Sequence, residues 1–302
     1  MAMILAASFV QSFSQQVVSG VASGAIYASL ALALVLIYRA MDVANFAQGE
    51  MAMFATFVAY TLITQLHLPY LIAFVLTILI AFAGGVAVER VVVRPFEGAP
   101  VLTLVIVTLA LFSIFNGLAG LIWGYVFKTL ESPFPARSVQ FQGVFIGIQD
   151  LGVIGVTLAV LAVVFLFFRY TRLGLAMRAA ALYPESSRLL GVRTSRMLAL
   201  GWGLAAAVGA VSGMMVAPIV FLDPNMMQPV LLFAFAAAVL GGIESPLGAV
   251  VGGVLVGVLL ALVGTYLPGG QNLRVPFGLV VIVAVLLLRP AGIFGRRQAR
   301  RV

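Results

Sequence analysis

Two stretches of this chain place carboxylates, amides and glycine where the surrounding sequence is apolar. The first is RAMDVANFAQGE, Arg39 to Glu50, and the second is LGGIESPLG, Leu240 to Gly248. In membrane transporters, interrupted helices of this kind bring free backbone groups and carboxylates beside the path of the solute. We therefore predict a lining or gating role for the polar residues of the two stretches: Asn45, Gln48, Glu50, Glu244 and Ser245.

A simpler explanation competes for the two carboxylates. Glu50 and Glu244 each lie at the start of the next apolar run. A carboxylate in the first turn of a helix is stabilised by the helix dipole, whatever the protein does. In a gradient-driven carrier, either residue could instead couple transport to an ion. The sequence leaves these alternatives open.

Residues for other kinds of chemistry are absent from the sequence. It has no Cys and one His, and its single Lys, Lys128, lies in GYVFKTLE and not in a nucleotide-binding glycine loop. It also lacks the HExxH motif of zinc hydrolases and the GxSxG motif of serine hydrolases. We expect no catalytic residue, no metal site and no cofactor. If ATP drives the protein, a partner must hydrolyse it.

The composition indicates that membrane helices position these polar stretches. The chain has 302 residues, of which 63% are hydrophobic and 9% charged, with a mean hydropathy of +1.19. A soluble core of this size could not bury so much apolar surface. We predict one domain over residues 1–302, an all-α polytopic transmembrane bundle of about 8–10 spans. Nine segments are candidate spans: 17–38, 47–66, 70–88, 101–123, 148–168, 197–222, 230–243, 247–267 and 275–289.

The basic residues between these segments predict the orientation. Alternate numbering of the gaps places fourteen of the seventeen basic residues on one side, including those of the tail GRRQARRV. The other side receives Lys128, Arg137 and Arg274. By the positive-inside rule, the N-terminus lies outside and the C-terminus in the cytoplasm. The external loop, about 124–149, contains an alternating run, Ser138 to Ile148, that is compatible with a small β-hairpin or with an ordinary loop and turn.

The longest segment that does not fit a bilayer is the loop from about 169 to 196. Within it, Pro184 suits a first helical position, Glu185 the first turn, and Gly191 a left-handed C-terminal cap. This pattern predicts a short helix from Pro184 to Leu190. Its apolar neighbours, Leu182, Tyr183, Leu189 and Leu190, exceed what a passive connection needs. We therefore expect a soluble partner to dock there.

Three ordered motifs resemble a known family. They are GVASGAIYASLALALVLIYRAMDVANFAQGEMAMF, AMRAAALYPESSRLLGVRTSRMLAL and VLGGIESPLGAVVG, and the resemblance extends from about Gly20 to Gly292. The chain is similar to the permease subunits of branched-chain amino acid ABC importers. The resemblance implies a bacterial inner-membrane permease that works with a second permease or a copy of itself, two cytosolic ATP-binding subunits and a periplasmic binding protein.

The resemblance also implies which residues couple the permease to its ATPases. A cytoplasmic coupling helix of the family corresponds to these residues: Ala179, Ala180, Tyr183, Pro184, Glu185, Arg188, Leu189, Leu190 and Gly191. Two departures stand out, because the family often has His at Gln48 and Asn or Asp at Tyr183. The solute could therefore be a branched-chain or other neutral amino acid, urea or an amide. A stand-alone, gradient-driven transporter or channel is the alternative.

Overall fold

The computed structural model describes residues 2–141 and 144–295. Its helices are α1 Ala2–Met41, α2 Gln48–Thr64, α3 Tyr70–Val88, α4 Val101–Trp123, α5 Ile148–Tyr170, α6 Arg172–Leu182, α7 Pro184–Leu189, α8 Thr194–Val220, α9 Met227–Gly241, α10 Pro246–Tyr266 and α11 Gly270–Leu288. The alternating run Ser138 to Ile148 contains a hairpin of antiparallel β1 Ser138–Phe141 and β2 Val144–Gly147, with Ser138 opposite Gly147. The basic tail residues Arg296, Arg297, Arg300 and Arg301 lie outside the described residues.

Each of the nine predicted spans contains one helix, and the all-α polytopic fold class is confirmed. Within the described residues, seven helices are long and apolar enough to cross a membrane: α1, α3, α4, α5, α8, α10 and α11. The other two, α2 and α9, have 17 and 15 residues. From Ala2 onward the N-terminal segment is continuous with the first span, so residues 2–16 form no separate element.

The chain divides into two compact units. The first comprises residues up to Ala31, residues 132–158 and residues from Leu232 onward. In this unit, α1 packs closely on α10, since a Cβ at Gly24 would lie 2.8 Å from the carbonyl oxygen of Gly253. The hairpin is fastened to α1 because the side-chain amide of Gln15 bonds both the backbone N–H and the carbonyl of Phe145, at 2.8 and 2.6 Å.

The second unit comprises residues 32–131 and 159–231. Its core includes Trp202 of α8, whose indole N–H donates to the sulfur of Met41 at 3.2 Å. On α2, the ring of Phe57 stacks on Trp123 of α4 with 4.9 Å between centroids. Glycine lets α3 approach α8, because a Cβ at Gly85 would lie 2.5 Å from the carbonyl oxygen of Trp202. Close packing of α2 and α3 on α8, and of α4 on α2, positions the polar residues described next.

Candidate functional site

The side-chain amides of Asn45 and Gln48 form hydrogen bonds within the break between α1 and α2. The Oδ1 atom of Asn45 accepts from the N–H of Ala47 at 3.0 Å, and its Nδ2 donates to Gln48 at 3.3 Å. Gln48 in turn donates to the backbone carbonyl of Ala205 on α8 at 2.9 Å. Both amide side chains are fully buried. Asn45 and Gln48 therefore tie the start of α2 to the middle of α8.

Contacts along α2 show that it runs parallel to α4 and α8. Gln48 meets Ala205, and eight residues later Thr56 lies against Gly213. On the other side of α2, Glu50 meets Asn116, and the indole N–H of Trp123 donates to Thr61 at 2.9 Å. In each pair of helices, the numbers of the contacting residues increase in the same direction along both helices. This occurs only when the two helices run parallel.

This parallel arrangement shows how deep the break lies. Asn116 is fifteen residues beyond the start of α4 at Val101, which at 1.5 Å per residue is roughly 22 Å along the helix. Ala205 is eleven residues beyond the start of α8 at Thr194, roughly 17 Å along. The first turn of α2 is thus level with interior positions of two spanning helices, about two-thirds of the way along α4 and about two-fifths of the way along α8. Glu50 is an interior carboxylate and not a surface one.

A cluster of polar groups surrounds Glu50, whose side chain is 1% exposed. The Nδ2 atom of Asn116 donates to Oε2 of Glu50 at 3.3 Å. The same Nδ2 lies 2.9 Å from the carbonyl oxygen of Pro224 and 3.2 Å from Oδ1 of Asn225. Gln228 donates to Asn225 at 2.9 Å and also hydrogen-bonds Glu50. We call Glu50, Asn116, Pro224, Asn225 and Gln228 the Glu50 cluster.

Sequence reasoning missed four of these residues, all except Glu50. Pro224 and Asn225 lie in the turn between α8 and α9, in which the Asn225 N–H donates to the Asp223 carboxylate. Asn116 is the only Asn, Gln or charged residue of α4 and could have been noticed on that ground, because polar side chains in spanning helices are costly without a function. Gln228 carries no such signal, since it stands at the start of a helix.

The second predicted break lies in the other unit and has a different arrangement. Ser245 caps α10, because its hydroxyl accepts from the N–H of Gly248 at 3.0 Å. Glu244 is exposed on the turn that precedes this cap. The structure thus gives Ser245 a local structural role, while a function in the solute path stays a prediction for both residues.

The loop between α5 and α8 contains the predicted short helix as α7, which ends at Leu189, one residue before the predicted end. Gly191 has a φ of 81°, as expected for a left-handed cap. The N–H of Gly191 bonds the carbonyl of Arg188 at 3.0 Å, and that of Val192 bonds Ser187 at 2.9 Å. These two bonds form a Schellman motif, which stops the helix and turns the chain towards α8.

The surface of this loop is apolar where a passive connection would be polar. Leu189 is 90% and Leu190 84% exposed, and Leu182 and Tyr183 are also exposed. Glu185, Arg188 and Gly191 are exposed as well, whereas Ala179 and Ala180 are half-buried. The remaining predicted coupling residue, Pro184, is the first residue of α7. The structure therefore presents most of the predicted coupling residues on one short segment.

The segment that follows α3 contains an ion pair whose arginine also hydrogen-bonds the start of α8. After α3 the chain forms one π-helical turn, Glu89–Val93, and Arg94 follows it. The Arg94 guanidinium bonds Glu89, with 3.1 Å between Nη2 and Oε2, and also the backbone carbonyl of Ser195 at 3.3 Å. Glu89 is fully buried. The sequence analysis did not single out this pair, because neither residue belongs to a recognisable motif.

No group of three or more His, Asp or Glu side chains within residues 2–141 and 144–295 could hold a metal ion. The seven long apolar helices define a multi-pass membrane protein. The chain belongs to the family described as branched-chain amino acid transport system, permease component, whose model matches residues 16–288.

Relatives with transport names align with nearly the whole chain. The high-affinity branched-chain amino acid transport system permease protein LivH of Salmonella typhimurium is 33% identical, over 96% of this chain and 98% of the relative. BraD of Pseudomonas aeruginosa, a permease protein of the same description, is 31% identical over the same shares. The solved structure titled PsaBC from Streptococcus pneumoniae in complex with Fab has 12% identity and a TM-score of 0.49 over 92% of each chain.

Proposed function

We propose that this protein is the permease subunit of an ATP-driven importer for branched-chain or other neutral amino acids. Family membership and the names of the relatives support this solute class. In the assembly we propose, two cytosolic ATP-binding subunits hold the ATP, and the permease has no cofactor of its own. A second permease, or a copy of this one, completes the membrane part, and a periplasmic binding protein delivers the solute.

One observation supports the ATPase contact above the others. The segment α6–α7 exposes Leu182, Tyr183, Leu189 and Leu190 together, and apolar patches on a loop are typical of protein interfaces. Closure of the ATPases would move α7, and the Schellman turn at Gly191 would pass that movement to α8. In the proposed orientation, this loop is cytoplasmic, the N-terminus lies outside and the membrane is the bacterial inner membrane.

The test is copurification in mild detergent from the native membrane, followed by mass spectrometry and by ATP-dependent uptake in proteoliposomes. We expect the tagged wild type to retain two ATPases and a second permease. The double variant Leu189→Arg, Leu190→Arg should lose the ATPases yet remain monodisperse, because both side chains already face solvent. The control Leu66→Arg makes one such substitution at an exposed leucine of another loop, and this variant should retain the ATPases.

Uptake by the isolated chain without ATP would contradict this function and favour a gradient-driven carrier. Full ATPase retention by the double variant would place the docking surface elsewhere. Glu185→Arg and Gly191→Pro extend the test, since a proline cannot adopt the φ of 81° at position 191.

A further inference from the structure

Three acceptor oxygens converge on a single side-chain nitrogen at the centre of the Glu50 cluster. Three oxygens surround Nδ2 of Asn116: Oε2 of Glu50 at 3.3 Å, the Pro224 carbonyl at 2.9 Å and Oδ1 of Asn225 at 3.2 Å. A side-chain amide has two hydrogens, whereas a primary ammonium has three. The hydroxyl of Tyr125 lies 3.1 Å from Oδ1 of Asn116 and so orients the amide nitrogen towards these oxygens. One nitrogen among three oxygens is the arrangement that an ammonium group requires.

The charge of the cluster also favours a cation. Glu50 is buried, and Asp223 is close enough to interact with it as a second negative charge. The Arg94–Glu89 ion pair does not involve Glu50, and among the described residues the charged group that acts on Glu50 is Asp223. A buried carboxylate without a positive partner is costly, and a bound cation removes that cost.

The cluster is accessible to a solute from one side. The side chain of Glu50 is buried, but Asn225 and Gln228 are both exposed. These two residues form a polar rim at the level of Asn116, about two-thirds of the way along α4, where the neighbouring side chains of α4 are apolar. A solute could therefore reach Glu50 past Asn225 and Gln228 if the Asn116 amide rotated away from the three oxygens.

We propose that Glu50, Asn225 and the carbonyl of Pro224 bind the primary ammonium group of the transported solute, in the place that the Asn116 amide occupies in this structure. The assignment rests on the proposed function and narrows its solute class to compounds with a protonated amine, which excludes urea and simple amides. Asn45 and Gln48 are positioning residues, because they hold the first turn of α2 through Ala205 and do not belong to the cluster.

The first experiment uses the assembled transporter, purified without its binding protein, and scintillation-proximity binding of tritiated leucine. The competitors are isopentylamine, which keeps the ammonium but lacks the carboxylate, and isocaproate, which keeps the carboxylate but lacks the ammonium. We expect isopentylamine to displace leucine and isocaproate to fail. Displacement by isocaproate alone, or by sodium or potassium chloride at constant ionic strength, would overturn the proposal. So would the absence of binding by both leucine and isopentylamine in a complex that imports leucine.

The second experiment removes the charge and keeps the shape. Glu50→Gln should weaken the binding of leucine and of isopentylamine by about 10- to 100-fold, the effect of losing a charged hydrogen bond. Glu50→Asp should restore part of the affinity, whereas Glu131→Gln, the matched loss of an exposed carboxylate, should change nothing. Equal affinities in Glu50→Gln and wild type would mean that the cluster only fastens α2 to α4. If the Glu50→Gln complex fails to assemble, the proposal is tested by the competition of isopentylamine and isocaproate with leucine in the wild-type complex.

These results separate the two proposals. A complex that retains its ATPases and imports leucine with ATP, but ignores isopentylamine, overturns the ammonium site and leaves the proposed function intact. A chain that binds isopentylamine through Glu50 but copurifies without ATPases overturns the proposed function instead.

Discussion

Two adjacent glycines on α3 differ completely in their surroundings. A Cβ at Gly85 would lie 2.5 Å from the carbonyl oxygen of Trp202 and 2.7 Å from Cβ of Ala206, both on α8. A Cβ at Gly84 would meet no heavy atom within 4 Å. The substitutions Gly85→Ala and Gly84→Ala therefore make the same chemical change in the same helix, and only the first disturbs the contact with α8.

The expected magnitudes follow from this difference. Replacing a glycine in a helix by alanine favours the helix by up to about 1 kcal/mol at either position. At Gly85 the added methyl also meets a backbone carbonyl that cannot rotate away, and overpacking of this kind costs roughly 1–3 kcal/mol. We expect Gly85→Ala to be less stable than Gly84→Ala by roughly 1–3 kcal/mol, with Gly84→Ala equal to or above the wild type.

The measurement is thermal unfolding in one detergent, followed by intrinsic tryptophan fluorescence, which includes that of Trp202 beside the contact, and by the size-exclusion profile after heating. Gly117→Ala on α4, a second open position, should behave like Gly84→Ala. Equal unfolding midpoints for Gly85→Ala and Gly84→Ala would refute the close approach of α3 and α8, and with it the packing that holds the start of α2 in the interior.

Two further predictions concern single polar contacts. Ser245→Ala should lower the stability by about 0.5–2 kcal/mol because it removes the cap of α10, and Ser245→Thr should keep most of it; equal unfolding midpoints for both variants would contradict the cap. Arg94→Gln leaves the Glu89 carboxylate buried without its ionic partner and should cost about 1–3 kcal/mol, while adding Glu89→Gln should recover part of the loss, and additive effects in this double-mutant cycle would argue against the ion pair.

The elements of the loop at 169–196 could be predicted because their signals are local. A proline at the first position and a glycine after the last turn set the bounds of α7 to within one residue, and both act on the backbone of their own neighbours. Alternation along a short run was likewise compatible with the hairpin at Ser138–Gly147. The orientation of the chain in the membrane stays a prediction.

Glycine pairs at four-residue spacing, such as Gly209 and Gly213, permit close helix packing, and in the structure they pack within the chain. Gly209 and Gly213 pack against α2, and Gly253 packs against α1. The sequence could identify small residues that permit close approach, but it could not identify the partner helix. Any two of nine apolar spans could in principle have met at such a pair.

The partners of Glu50 in the Glu50 cluster likewise could not be identified from the sequence. The break before Gln48 identified Glu50, yet its partners come from α4 and from the turn before α9, more than 60 and 170 residues away. Asn225 alone predicts a turn, and Asn116 alone predicts only a polar contact somewhere within the membrane. Their convergence on one carboxylate depends on α2 starting level with Asn116 in the interior of α4, which no spacing along the chain encodes.

The sequence by itself determined the membrane class, the positions of the spans, the two breaks and the helix with its glycine cap, because hydropathy, proline and glycine act over a few residues. The tertiary structure decided which break is buried, since Glu50 lies in the interior and Glu244 on an exposed turn. The physical reason is that a carboxylate at a helix start has the same local chemistry in both places. Only the helices packed around it decide whether water or amide groups surround its oxygens.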